Sequence, residues 1–384
     1  MDNGAMLWDV FCRVIDNFGD IGVCWRLCAD LAARGHRMRL WTDDASALDW
    51  MAPGARAGAW PGVQVQPWEL LHHPVALREL ECAAVWVEGF GCEIPEPFLA
   101  HFCGQDGAPP QAPSDAAVCQ PAWVNLEYLS AEAYVEKSHA LASPVAHGPA
   151  RGRGKYFYYP GFTPGTGGLL REPGLLQDRA RFSDGHRRAF LLRHGLDWHG
   201  QVVLSLFCYE PPALMRLLQN LRDWNRPVAL LVTDGRARAA CTQLLGTGTQ
   251  WGALQLVYLP AVSQSDYDRL LWSCDLNFVR GEDSLVRAIW ADRAFVWQIY
   301  PQDDGAHAAK LECFLDTVQA GARWREFHRL WNGLAGPEGA PQCAHAPSAL
   351  DLTNWQRDAS AARAQLLQMD DLGSQLVQFV QNKR

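Results

Sequence analysis

Residues 7–44 read LWDVFCRVIDNFGDIGVCWRLCADLAARGHRMRLWTDD, and their patterning decides the fold class. LWDVFCRV (7–14) is a nearly unbroken apolar run with β-branched and aromatic residues, which suits a strand buried on both faces of a parallel sheet. IDNFGDIG (15–22) is a turn-rich loop. In VCWRLCADLAARGH (23–36), Val23, Leu27 and Leu31 form one helical stripe, with Arg26, Asp30 and Arg34 expected on other faces. Gly35 is a natural stop, and MRLWTDD (38–44) is the next strand. Strand, helix and strand make a βαβ unit, whose crossover is right-handed.

Outward from that unit, AAVWVEGF (83–90) and AWVNLEYL (122–129) predict further strands, and 104–121, with GAPPQAPSD, a long surface loop. Between about 145 and 200 the period loosens, and GFTPGTGGLLREPG reads as an interdomain connection. A second α/β series starts at QVVLSLFCYE (201–210). It continues through a helix (212–224), PVALLVTDG, a helix (236–245), LQLVYLP and a helix (265–273). DLNFVRGEDS, the helix LVRAIWADR and the strand FVWQIYPQ (295–302) complete it. Residues 358–382 read as one helix, with Leu366, Leu367, Met369, Leu372, Leu376 and Phe379 on its apolar face. Alternation of this kind predicts an α/β chain: two Rossmann-like, doubly wound domains facing each other across a cleft. The expected division is 1–180 and 181–359, with a terminal helix at about 360–384 packing back on the first domain.

The chain's 384 residues are enough for two domains that need no disulfide or metal to fold. Its 34 basic and 42 acidic residues give a net charge of −8, and no long Lys/Arg run supplies the field of a nucleic-acid binder. RGRGK (151–155) is the densest basic stretch and reads as solvated linker. The twelve cysteines form no CxxC, and neither Cys24 with Cys28 nor His72 with His73 gains the partners of a zinc set. Buried thiols in a cytoplasmic protein are the expectation, with no metal. No apolar run approaches the roughly 20 residues of a membrane span, and the start lacks a signal-peptide pattern. A soluble protein is expected.

In open parallel sheets, ligands bind beyond the carboxyl ends of the strands. Two loops there stand out. Asp16-Asn17-Phe18-Gly19-Asp20-Ile21-Gly22 follows the first strand: its glycines let backbone approach a ligand, and the next helix offers N–H groups. Asp20 could simply cap that helix, or the two carboxylates could do acid/base work. Arg280-Gly281-Glu282-Asp283-Ser284 is the second loop. Asp283 and Ser284 suit a helix cap, yet an arginine at a helix N-terminus is also a cradle for a diphosphate. Phe207 and Tyr209 close the second domain's first strand and could meet a base, and Gln264 precedes a helix where it could read a ribose or base edge. No GxGxxG, GxxxxGK[ST] or GxSxG occurs, which disfavours P-loop, standard dinucleotide and serine-hydrolase chemistry.

DNFGDIGVCWRLC, LFCYE and NFVRGEDSLVRAIWADRAFVWQIYPQ, in that order along the chain, resemble the bacterial protein-arginine rhamnosyltransferases that modify translation elongation factor P. The resemblance implies a glycosyltransferase B fold and an inverting transfer of L-rhamnose from dTDP-β-L-rhamnose to one arginine of the factor. It places the family's loop motif on Asn17, Phe18, Gly19 and Asp20, with Asp20 as base, and implies Glu282 as a second catalytic residue. It assigns nucleotide contacts to Tyr209 and Gln264 and the diphosphate to Arg280 through Ser284. One departure stands out: Pro260-Ala261-Val262-Ser263-Gln264 lacks the family's frequent aromatic next to that Pro, so stacking on thymine falls to Phe207 or Tyr267. Asp16 is expected to brace the Asp20 geometry. Elongation factor P and dTDP-rhamnose are the implied partners, with no nucleic acid and no membrane. A nucleotide-sugar epimerase or hydrolase of the same fold, or a non-catalytic binding scaffold, are the alternatives.

Overall fold

The computed structural model describes residues 4–15, 18–104, 120–302, 305–334 and 350–383. The expected 104–121 loop, except at its ends, and the loop residues Asp16 and Asn17 lie outside them. The chain divides into two compact units, Met1–Pro173 with Met369–Arg384, and Gly174–Gln368.

The first unit is built on a seven-stranded sheet of β1 (Leu7–Cys12), β2 (Arg37–Thr42), β3 (Val63–Pro67), β4 (Val85–Gly89), β5 (Ala122–Leu126), β6 (Ala142–Pro144) and β7 (Gly154–Tyr158). Its order is β3-β2-β1-β4-β5-β7-β6, and every pairing is parallel except β6 with β7. All six residues of β1 are buried. Trp8, Val10 and Cys12 join a core with the helix Gly19–Ala33, while Leu7 and Phe11 join a second core with Trp41, Trp86 and Phe98. Period two thus feeds both faces of one strand. The chain order reverses between β1 and β4, so the loop after β1 opens at a topological switch point.

The second unit holds β8 (Val202–Leu206), β9 (Val228–Val232), β10 (Gln250–Trp251), β11 (Leu254–Tyr258), β12 (Leu276–Arg280) and β13 (Ala294–Gln298). Their order is β10-β11-β9-β8-β12-β13, with β10 alone antiparallel. Its switch point lies between β8 and β12, the strands that lead into Phe207 and end at Arg280.

Two expectations need correction. The stretch 145–200 is structured: β7 adds to the first sheet, and the helices Leu175–Arg181 and Asp184–Arg193 open the second unit. Arg26 and Asp30, off the Val23–Leu27–Leu31 stripe, are 5% and 1% exposed. Arg26 pairs with Glu172, and Asp30 pairs with Arg34, which also reaches Asp371 and Ser374. Finally, the terminal helix is two helices. Leu352–Leu366 stays with the second unit and packs on β13, whereas Leu372–Lys383 returns to the first, placing Leu372, Leu376, Val377 and Val380 in the core beside Leu27 and Leu31. The returning segment is therefore shorter than 360–384, and the first break falls after Pro173.

Candidate active site

In the first unit, the helix Gly19–Ala33 starts directly after the β1 loop, with Phe18 as N-cap and no side-chain cap bond. Asp20 occupies the second helical position, so it is not the cap; its negative charge sits in the first turn, where the helix dipole favours it. Phe18 is 44% exposed and lies edge-on to Trp50 at 6.1 Å. The Asp20 carboxylate accepts a hydrogen bond from the Tyr128 hydroxyl, 3.3 Å away. Beneath it, Cys12 and Cys24 are fully buried; the hydrogen bond with Cys24 and burial push the Cys12 thiol up, and burial outweighs that bond to push Cys24 up, with Asp20's charge a lesser contribution to both. These thiols are packing groups, as are Cys28 and Cys92.

In the second unit, Arg280 ends β12 and is the N-cap of the helix Gly281–Ala291. Its guanidinium lies between two rings, 4.4 Å from the centre of Phe207 and 4.5 Å from that of Tyr209, and donates to the Cys208 carbonyl at 3.1 Å. Burial holds the Arg280 guanidinium below its ordinary pKa, a desolvated state in which an anion gains more from it than in water. Gly281 adopts φ +68°, a conformation that favours glycine, and its carbonyl accepts from the Trp297 indole at 2.9 Å. Ser284 is committed to the turn: its hydroxyl donates to the Arg280 carbonyl and accepts from the Arg280 amide at 3.1 Å. Ser284 therefore shapes the turn. Glu282 and Asp283 sit half-buried in the first turn, and burial, with a small push from Glu282's charge, raises the Tyr209 phenol.

Tyr209 is 7% exposed. Its amide donates to Gln298, and Arg236 lies 5.5 Å from its ring on the approach to Glu210. Phe207 meets Tyr267 edge-on at 5.8 Å, so the two candidates for thymine stacking form one aromatic corner with Arg280. Gln264, half-buried, begins the helix Gln264–Ser273 that carries Tyr267. The Asp266-Tyr267-Asp268 spacing is not a vacant metal site: Asp266 pairs with Arg193 and Arg269, and Asp268 with Arg287. Among the described residues, no group of three or more His, Cys, Asp or Glu side chains could hold a metal ion, and no helix is long and apolar enough to cross a membrane.

Sequence reasoning missed Tyr128 and its neighbours Phe90, Asn125 and Glu127. They lie at the carboxyl ends of β4 and β5, beside the switch point. The strand ends were legible at 83–90 and 122–129, but a contact spanning 108 residues was not.

Two Rossmann-like units in one chain, one with a carboxylate at its switch point and the other with an arginine-and-helix-terminus turn, define a glycosyltransferase of the B type. The family model for "Elongation-Factor P (EF-P) rhamnosyltransferase EarP" matches residues 8–381. A protein-arginine rhamnosyltransferase of Pseudomonas aeruginosa is 42% identical, covering 97% of this chain and 98% of its own. One from Pseudomonas putida is 45% identical over 82% of each chain. A solved EarP structure, described as the basis for EarP-mediated arginine glycosylation of EF-P, is 30% identical with a TM-score of 0.61, covering 99% of this chain and 100% of its own. The chain belongs to the EarP family of protein-arginine rhamnosyltransferases.

Proposed function

We propose that this enzyme transfers L-rhamnose from dTDP-β-L-rhamnose to one arginine of translation elongation factor P, with inversion and without a metal, in the cytoplasm. The observation that carries the donor half is Arg280, desolvated between Phe207 and Tyr209 at the N-terminus of Gly281–Ala291. A helix terminus and a buried guanidinium both favour a diphosphate, whose charge rises as the glycosidic bond breaks. The acceptor half rests on Asp20 and on charge: the first unit has 14 basic and 22 acidic residues and carries the whole net −8, while the second has 20 of each. An acidic unit attracts a surface that presents an arginine.

In the reaction, a guanidinium nitrogen attacks the anomeric carbon, the C–N bond forms as the C–O bond to dTDP breaks, and Asp20 takes the nitrogen's proton. Arg280 and the helix N–H groups take up the charge on the departing diphosphate. Glu282, in the same first turn, holds the donor or its loop, and Phe207 with Tyr267 supplies the face for thymine. Asp16 and Asn17, by family resemblance, belong to the acceptor loop. Incubation with dTDP-rhamnose tests the reading: dTDP should appear only when elongation factor P is present, and chelator should not slow it. Steady dTDP release without the factor would favour the hydrolase alternative, and conversion of the sugar with no release would favour the epimerase. Binding of the factor with no turnover would favour the scaffold.

A further inference from the structure

Tyr128 stands on a deliberately rigid support. Its ring, 45% exposed, stacks on Phe90 with centroids 4.7 Å apart and planes at 24°. Phe90 adopts φ +58°, a left-handed conformation uncommon for an aromatic residue, with glycine on either side. Strain of this kind persists only where neighbours enforce it, and it clusters at ligand sites. Here the Phe90 amide donates to the Leu126 carbonyl at 2.7 Å, and the Gly91 amide donates to Asn125 Oδ1 at 3.1 Å. Asn125 in turn donates to Glu127 at 2.6 Å. On the other side, a Cβ at Gly89 would come within 2.7 Å of Cys24 Sγ and 3.0 Å of the Phe11 carbonyl. Cys24 is one helical turn from Asp20. The turn bearing Phe90 is therefore clamped both to the strand that leads into Tyr128 and to the helix that begins with Asp20.

From this geometry we infer that Tyr128 positions the acceptor guanidinium: its hydroxyl fixes the Asp20 carboxylate and its ring is the platform on which the guanidinium lies. The inference rests on the transferase reading above. Arginine stacks flat on aromatic faces while donating in its own plane, so one contact fixes the plane and the other the reacting nitrogen. Glu127, next to the platform, adds a second carboxyl, which burial holds above its usual range. Tyr128 acts through Asp20 and through substrate orientation, and transfers no proton itself.

Steady-state kinetics on Tyr128→Phe and Tyr128→Ala, with dTDP-rhamnose and intact elongation factor P, test this. Tyr128→Phe keeps the platform and loses the hydrogen bond, so kcat should fall roughly tenfold with little change in KM for the factor. Tyr128→Ala should also raise that KM about fivefold. The affinity of both variants for dTDP should match the wild type. Wild-type kcat and KM in both variants would overturn the inference, as would losses that track weakened dTDP binding. If the alanine variant does not fold, the phenylalanine variant decides. An inactive wild type would refute the transferase reading, whereas an active wild type with indifferent Tyr128 variants would refute only this inference.

Discussion

A guanidinium keeps its proton to pH values above about 12, so the residue that receives that proton must act while the C–N bond forms. Asp20 is placed for that: in a first helical turn, held by Tyr128, with buried neutral thiols behind it. Asp20→Asn should leave dTDP affinity intact and cut turnover by about 10²–10⁴-fold, the range for a lost general base. Near-normal turnover would remove Asp20 from the chemistry. Arg280→Ala should weaken dTDP binding roughly 10–100-fold, the worth of a charge-assisted bond. Calorimetry showing equal affinity would place Arg280 outside the diphosphate site. At this scale RGEDS was legible as a strand-to-helix turn, because it is built from residues adjacent in the chain. The sequence was silent on Tyr128 and on the bonds of the Ser284 hydroxyl within its turn, since both are hydrogen bonds that only the folded backbone creates.

Among the elements, strands buried on both faces declared themselves as apolar runs: β8, β9 and β12 fall within the stretches that predicted them, and β13 begins one residue before its own. The sheet margins did not. β3, VQVQP, alternates in period two, with Val63 buried, Val65 and Gln66 half-buried and Gln64 and Pro67 exposed, and β6 and β7 interrupt a Gly/Pro-rich stretch. The returning helix Leu372–Lys383 joins the first helix through a polar cluster. There Gly373 leaves room for the Asp30 carboxylate, and Arg34 bridges Asp30 and Asp371. Burial pushes Asp30 up to about 7 despite Arg34. Its pKa is raised on folding, so the stability it contributes is full below about pH 4 and is lost as pH rises towards 7. Asp30→Asn should flatten that part of the stability–pH curve in denaturant titrations at pH 4.5 and 7.5. An unchanged slope would show that Asp30 is ionised throughout.

For the molecule as a whole, the two units have separate cores, and the proposed function gives each its own share of the chemistry. A ligand bound by one unit stabilises that unit by mass action, about 2.7 kcal/mol at one hundred times its Kd. Scanning calorimetry with dTDP should therefore raise the unfolding temperature of Gly174–Gln368 and leave that of the first unit in place. Equal shifts in both would contradict a donor site confined to the second unit. The concentration of all net negative charge in the first unit adds a second expectation: KM for the acceptor should rise with salt more steeply than KM for the donor.

The most direct test of arginine rhamnosylation is the mass of elongation factor P itself after incubation with dTDP-rhamnose and the enzyme, followed by peptide mapping. The wild type should add one rhamnosyl group to a single arginine, and Asp20→Asn should leave the factor almost entirely unmodified over the same time. An unchanged factor with the wild type, or sugar on a residue other than arginine, would contradict the proposed function.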